Sequence, residues 1–256
     1  MKPPAGRSLL AGKVVVVTAA AGAGIGSAVV TRCLDEGASV VLGDSHKRRL
    51  GESLDRFAEI YPGRVAATLC DVTAEETVQD LFAAAVRRFG RIDVLVNNAG
   101  LGGDQTVTAM TDDEWSRVLD VTLTGTFRCT RAALRQMAAQ GGGGAIVNNA
   151  SVLGWRAQAG QAHYAAAKAG VMAFTRCTAL EAASLGVRVN AVAPSLAAHP
   201  FLDRVIGADE LARLAGREAF GRAAEPWEVA TVVAFLASDY ASYLTGEVIS
   251  VSSQRA

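Results

Sequence analysis

The stretch Lys13-Val14-Val15-Val16-Val17-Thr18-Ala19-Ala20-Ala21-Gly22-Ala23-Gly24-Ile25-Gly26 decides the fold. Its β-branched run, Lys13–Thr18, reads as a strand buried on both faces. A glycine-rich turn follows, and Gly24–Glu36 then reads as a helix. Glycines permit a tight turn and bring backbone close to a pyrophosphate, while the helix N-terminus adds free N–H groups and a positive dipole end. A cluster at this place, between first strand and first helix, makes Gly22, Gly24, Ile25 and Gly26 candidates for holding a dinucleotide. An ordinary Gly-rich connection is the alternative.

The same alternation continues along the chain. Strands are expected at Ser39–Leu42, Val65–Leu69, Ile92–Val96, Ala145–Asn148, Val187–Val192 and Val248–Val251. Helices are expected at His46–Ile60, Ala74–Phe89, Asp112–Ala139, Gln161–Leu185 and Trp227–Ala237. Apolar strands separated by helices, joined by right-handed crossovers, give an α/β fold: a single-domain, doubly wound parallel sheet of Rossmann type with helices on both faces. No linker or repeat divides residues 1–256, and Gly141–Gly144 reads as a surface turn. Ser195–Arg222 is polar, is broken by Pro200 and Gly207, and exceeds an ordinary connection, so it reads as a segment covering the substrate.

Composition narrows the classes. With 50% hydrophobic and 20% charged residues, the chain can bury a large core. Lys+Arg and Asp+Glu balance at 25 each, which leaves no basic field for nucleic acid or an anionic membrane. Cys33, Cys70, Cys129 and Cys177 form no C-x-x-C pair, so they read as small hydrophobes in a reducing compartment and no metal site is expected. No secretory-type leader is visible at the start, and no segment reaches the ~18 apolar residues of a membrane span. The expectation is a soluble cytoplasmic protein.

The strand ends carry the chemistry. Asp44, at the end of the second strand, can accept hydrogen bonds from an adenosine ribose and would repel a 2′-phosphate, which favours NAD. A helix cap is its alternative role, and the cations His46, Lys47, Arg48 and Arg49 keep NADP open. Asp71 follows the third strand and can meet an adenine edge; Asn97-Asn98-Ala99-Gly100 follows the fourth and lets the chain pass close to a cofactor. Further on, Tyr164 and Lys168 stand four apart in an alanine-rich helical run, so phenol and ammonium share one face. A nearby cation favours the phenolate, which suits a general acid/base. Ser151 lies thirteen residues before the tyrosine. A half-buried tyrosine beside a snorkelling lysine is the bland alternative.

Taken in order, the turn ending Gly24-Ile25-Gly26, Asp71-Val72, Asn97-Asn98-Ala99-Gly100, Ser151, Tyr164/Lys168 and Asn190-Ala191-Val192-Ala193-Pro194 resemble the short-chain dehydrogenase/reductase family. The resemblance spans about Leu10 to Val251. It implies Tyr164 as acid/base, Lys168 on the nicotinamide ribose, and Ser151 on the substrate oxygen. It also implies a cofactor set that includes Val72, Asn98, Ala99, Gly100, Tyr164, Lys168, Pro194 and Ala197, and hydride exchange with a secondary alcohol or ketone. Assembly as a homotetramer or homodimer through the Asp112–Ala139 and Gln161–Leu185 helices is implied as well.

The chain departs from the family pattern at several positions. Ala19 replaces the first glycine of a turn one residue longer; Thr122 stands where an asparagine helps order a water near the lysine; Pro194-Ser195 replaces Pro-Gly; His199 replaces a threonine; and Ser252-Ser253-Gln254 replaces Asp-Gly-Gly. Thr122 is thus the fourth candidate in the catalytic set. Val147–Arg156 and Phe220–Trp227 are similar to a narrower group, actinobacterial enzymes of steroid breakdown acting on a CoA-linked indane fragment. That implies a ring hydroxyl or ketone as substrate, carried on a CoA thioester. Trp155 could line the pocket, the core or an interface, and Arg156 could meet a CoA phosphate. The alternatives are a 3-oxoacyl-thioester reductase and a catalytically weakened nucleotide sensor.

Overall fold

The computed structural model describes residues 2–198 and 208–253. The valine run forms β1 (Val14–Thr18), followed by β2 (Ser39–Asp44), β3 (Val65–Leu69), β4 (Val94–Asn97), β5 (Gly144–Asn149), β6 (Val187–Pro194) and β7 (Val248–Val251). All pair in parallel, in the order β3-β2-β1-β4-β5-β6-β7. The strand order reverses between β1 and β4, which opens a crevice at their carboxyl ends. The helices are α1 (Ile25–Asp35), α2 (Lys47–Ile60), α3 (Glu75–Phe89), α4 (Asp112–Leu119), α5 (Gly125–Gln140), α6 (Ala162–Ala182), α7 (Ala208–Ala215) and α8 (Pro226–Ala237). Among the described residues, no helix is long and apolar enough to cross a membrane.

Alternation along β1 explains the two-sided core. Val15 and Val17 pack with Val29, Cys33, Phe57 and Val233 of α1, α2 and α8. Val16 turns the other way, into Leu81, Phe82, Cys129 and Met137 of α3 and α5. The expected doubly wound sheet is therefore present, with helices on both faces.

Three local differences from the sequence reading have physical causes. The expected Asp112–Ala139 helix contains a π turn, Asp120–Thr124, between α4 and α5. Such turns add a residue without breaking the helix, so apolar spacing does not disclose them. The strand expected from Ile92 starts at Val94, because the Asp93 carboxylate accepts the Val14 N–H at 2.8 Å before the ladder begins. Within Ser195–Arg222, read as irregular, residues 208–215 form α7, and Ala197 makes a parallel bridge to Ala224. His199, Pro200 and Gly207 lie outside the described residues.

A strap precedes β1. Glu36, fully buried at the end of α1, accepts the N–H groups of Arg7 (2.7 Å) and Leu9 (3.0 Å), and Arg32 donates to the Pro4 carbonyl at 2.7 Å. Burial alone would raise the Glu36 carboxyl; the Leu9 and Arg7 amides and the paired Arg32 guanidinium outweigh it and hold the group below the usual carboxylate range.

Candidate active site

The glycine-rich turn opens onto the crevice. α1 starts with no side-chain cap and no acid in its first turn, so its first N–H groups are free to meet an anion. A Cβ on Gly22 or Gly24 would meet nothing within 4 Å, whereas one on Gly26 would sit 2.1 Å from the Ala19 carbonyl oxygen. The first two glycines thus leave an open surface, and the third allows turn and helix to touch. Ala19 itself takes a left-handed φ of +49°, where the family pattern has glycine.

Asp44 is buried beside this turn. Its Oδ2 accepts the Ala21 N–H at 3.0 Å and its Oδ1 the His46 N–H at 2.9 Å, so the carboxylate faces both the turn and the start of α2. Asp71 is exposed at the next strand end, where Oδ1 accepts the N–H (2.9 Å) and hydroxyl (2.8 Å) of Thr73. Val72 is buried against Gly125. Ile25 lies in the first turn of α1, Pro194 ends β6, and Ala197 is tied to Ala224.

Asn98 joins three strand ends. Its Nδ2 donates to the carbonyls of Thr18 (3.2 Å) and Ala19 (3.1 Å), and its Oδ1 accepts from Asn149 Nδ2 at 3.0 Å. The N–H groups of Asn98 and Ala99 both donate to the Thr18 hydroxyl at 3.0 Å. The side chain of Asn98 is therefore a brace; backbone at Asn98, Ala99 and Gly100 is what remains to line the crevice.

Ser151, Tyr164 and Lys168 converge at the same edge. Ser151 follows β5, is almost fully buried, and has its hydroxyl near enough to the half-buried Tyr164 phenol to pull its pKa down. Lys168 is buried one turn along α6, with Nζ 5.5 Å from the Tyr164 ring centroid and donating to the Asn149 carbonyl. Burial pulls its ammonium down to about 8. Burial raises Tyr164 and the opposing pull comes from the Ser151 hydroxyl, so the net lowering expected of the phenol is absent in this structure.

Thr122 lies in the π turn and is fully buried. Its hydroxyl accepts the Leu101 N–H at 3.0 Å and donates to the Leu101 carbonyl at 3.3 Å, while its own carbonyl accepts the Thr126 hydroxyl at 2.8 Å. It fixes the loop after β4. A Cβ on Gly100 would lie 3.3 Å from Lys168 Nζ and 3.7 Å from Thr122 Oγ1, so these groups share one crowded corner. His163, buried, faces Gly103. Trp155 and Arg156 are exposed on the turn after Ser151.

Sequence reasoning missed Asn149. Its carbonyl seats Lys168, its Nδ2 bridges to Asn98, and its Oδ1 is buried without a partner among the described residues. An amide two residues before Ser151, closing an apolar strand, was the available signal. The Ser195 hydroxyl is likewise buried without a partner among the described residues. Open glycines, an uncapped helix start and these orphan atoms fit a polar, phosphate-bearing dinucleotide.

A crevice built to hold a dinucleotide, with a serine, a tyrosine and a lysine at its end, defines a nicotinamide-dependent oxidoreductase, and the chain belongs to the short-chain dehydrogenase/reductase family. A family model described as enoyl-(acyl carrier protein) reductase matches residues 19–253. Among individual proteins, the chain is 65% identical over 253 residues to the (5R,7aS)-5-hydroxy-7a-methyl-1-oxo-2,3,5,6,7,7a-hexahydro-1H-indene-carboxyl-CoA reductase of Mycobacterium tuberculosis, covering 99% of this chain and 97% of that one. It is 41% identical to a 3-oxoacyl-(acyl-carrier-protein) reductase of Thermotoga maritima, covering 94% and 97%. A crystal structure of a short chain dehydrogenase from Mycobacterium smegmatis superposes with a TM-score of 0.89 at 60% identity, covering 100% of this chain and 98% of that one.

Proposed function

We propose that this protein exchanges hydride between NAD(H) and a ring ketone or hydroxyl of a steroid-derived, CoA-linked substrate, working as a reductase. The observation that carries the reading is the convergence of Ser151, Tyr164 and Lys168 beside the glycine-rich turn. The substrate class rests on the name of the Mycobacterium tuberculosis relative. Arg156, exposed five residues after Ser151, is a cation available to a CoA phosphate.

The roles follow from the chemistry of each group. Nicotinamide, when bound, supplies the hydride. Tyr164, kept protonated at neutral pH by burial, donates its proton to the carbonyl oxygen, and Ser151 gives that oxygen a second hydrogen bond. Lys168, seated on Asn149, places positive charge near the phenolate that forms. Backbone at Gly22, Gly24, Ile25 and Gly26 would hold the pyrophosphate, Asp44 the adenosine ribose, and Asp71 with Val72 the adenine side. Asn98, Ala99, Gly100, Pro194 and Ala197 would line the nicotinamide half. The buried Asp44 carboxylate opposes a 2′-phosphate, which supports NAD over NADP.

The whole chain then acts as one dinucleotide-binding domain, with 195–222 as its substrate cover. Exposed Trp115, Phe127 and Leu180 on α4, α5 and α6 support assembly as a homotetramer or homodimer. Four free cysteines support a cytoplasmic setting. The test is absorbance at the reduced-nicotinamide band with NADH or NADPH and the CoA-linked oxo-hydroindane, with acetoacetyl-CoA as comparator. Faster turnover of acetoacetyl-CoA assigns a 3-oxoacyl-thioester reductase instead, the reading favoured by the Thermotoga maritima relative. No turnover with either nucleotide removes the catalytic reading.

A further inference from the structure

Gly100, Gly102 and Gly103 follow β4 in close order, and their loop lies along the start of α6. Gln161 Nε2 donates to the Gly103 carbonyl, and the Gln105 N–H donates to the Gly160 carbonyl at 2.9 Å. Both backbone groups of Leu101 are tied to the Thr122 hydroxyl. The loop is thus fastened on both sides of Gly102.

The three glycines are not equivalent. A Cβ on Gly103 would stand 2.6 Å from Nε2 of His163, and one on Gly100 3.3 Å from Nζ of Lys168, so packing accounts for both. A Cβ on Gly102 would lie 3.8 Å from Cδ2 and 4.0 Å from Cε2 of Tyr164, an ordinary van der Waals separation. Gly102 is exposed and does not have the left-handed φ that favours glycine. Neither backbone nor packing demands glycine there. What glycine does at this position is leave no side chain against the Cδ2–Cε2 edge of the Tyr164 ring.

Resting on the hydride-transfer reading above, the geometry points to Gly102 as a specificity-determining position, whose missing side chain makes room beside the Tyr164 hydroxyl for a fused-ring ketone. A branched or aromatic side chain, held in place by the fastened loop, admits only narrower ketones.

The experiment is a graded series, Gly102→Ala, Gly102→Val and Gly102→Phe. Steady-state reduction of cyclohexanone (one ring) is compared with that of hydrindanone (two fused rings), and NADH affinity is followed by fluorescence. The expected result is a stepwise fall in the hydrindanone-to-cyclohexanone ratio of kcat/KM, reaching about tenfold or more at valine and expressed mainly in the KM for hydrindanone. NADH affinity stays at the parent's value. A ratio unchanged across the series, with NADH still bound, overturns the assignment of Gly102 alone. If the parent reduces neither ketone, the series is read with the CoA-linked oxo-hydroindane: an unchanged KM overturns the assignment alone, and no turnover overturns the hydride-transfer reading with it. Should the phenylalanine variant fail to bind NADH, the alanine and valine variants decide.

Discussion

At the scale of single residues, Tyr164 and Lys168 are set by burial. Tyr164→Phe is expected to lower reductive turnover by about 10²–10⁴-fold while leaving NADH binding in place, measured by stopped assay and fluorescence titration. Because burial raises the Tyr164 phenol, the reductive rate should hold through neutral pH and decline on the alkaline side; a profile that climbs there contradicts the proton-donor role. Lys168 yields a stability prediction of definite sign. Its folded value, about 8, lies below the ordinary 10.5, so between those values the unfolded chain binds the proton and the folded chain does not. Stability from this group therefore rises across that window, and below it the desolvation penalty is fully present. Lys168→Met should raise the thermal midpoint at neutral pH, with the gain shrinking as pH approaches 10.5, while activity is lost. The Tyr164/Lys168 pair was legible in the sequence because helical spacing is fixed. The direction of the phenol's shift was not, since it is set by how the folded chain buries the phenol.

At the scale of elements, β1 and its turn were readable because an unbroken valine run has few other solutions, and both faces of β1 are indeed buried. The π turn was not readable, because Asp120–Thr124 continues the helical pattern on both sides and differs only in its hydrogen bonds. α7 was hidden by neighbouring Pro200 and Gly207, which punctuate the sequence as a loop would. The start of α8 anchors the end of the 195–222 segment. Arg222 donates to both Glu228 oxygens (2.7 and 2.8 Å), and Glu228 also accepts the Glu225 N–H. Arg222, first among these, holds the Glu228 carboxyl down at about 2. The stabilisation is complete above the ordinary 4.5 and is lost as pH falls from there toward about 2. Glu228→Gln should lower the thermal midpoint at neutral pH and remove part of the parent's acid sensitivity in that window, as read by calorimetry across pH. Its substrate KM should rise if residues 195–222 cover the site.

At the scale of the whole molecule, the parallel sheet gathers residues as distant as Ala19, Asp44, Asn98, Ser151 and Pro194 at one edge, so a nucleotide bound there ties together segments from most of the chain. At a concentration 100 times its Kd, a ligand confined to the folded state adds about 2.7 kcal/mol, or roughly 5–10 °C for a chain of this size. NADH should give that shift and NADPH less; Asp44→Ala should bring the two shifts together. Equal shifts in the parent would assign Asp44 to the turn alone. The strap ahead of β1 lies at the opposite end of the sheet, beside the amino ends of β1 and β2. Because Glu36 relies on the amides of Arg7 and Leu9, a shortened variant lacking those residues would leave an anion inside the protein with Arg32 as its chief counterweight. A purification tag placed ahead of Pro4 therefore wants a spacer, so that residues 4–10 can still dock while the handle stays clear.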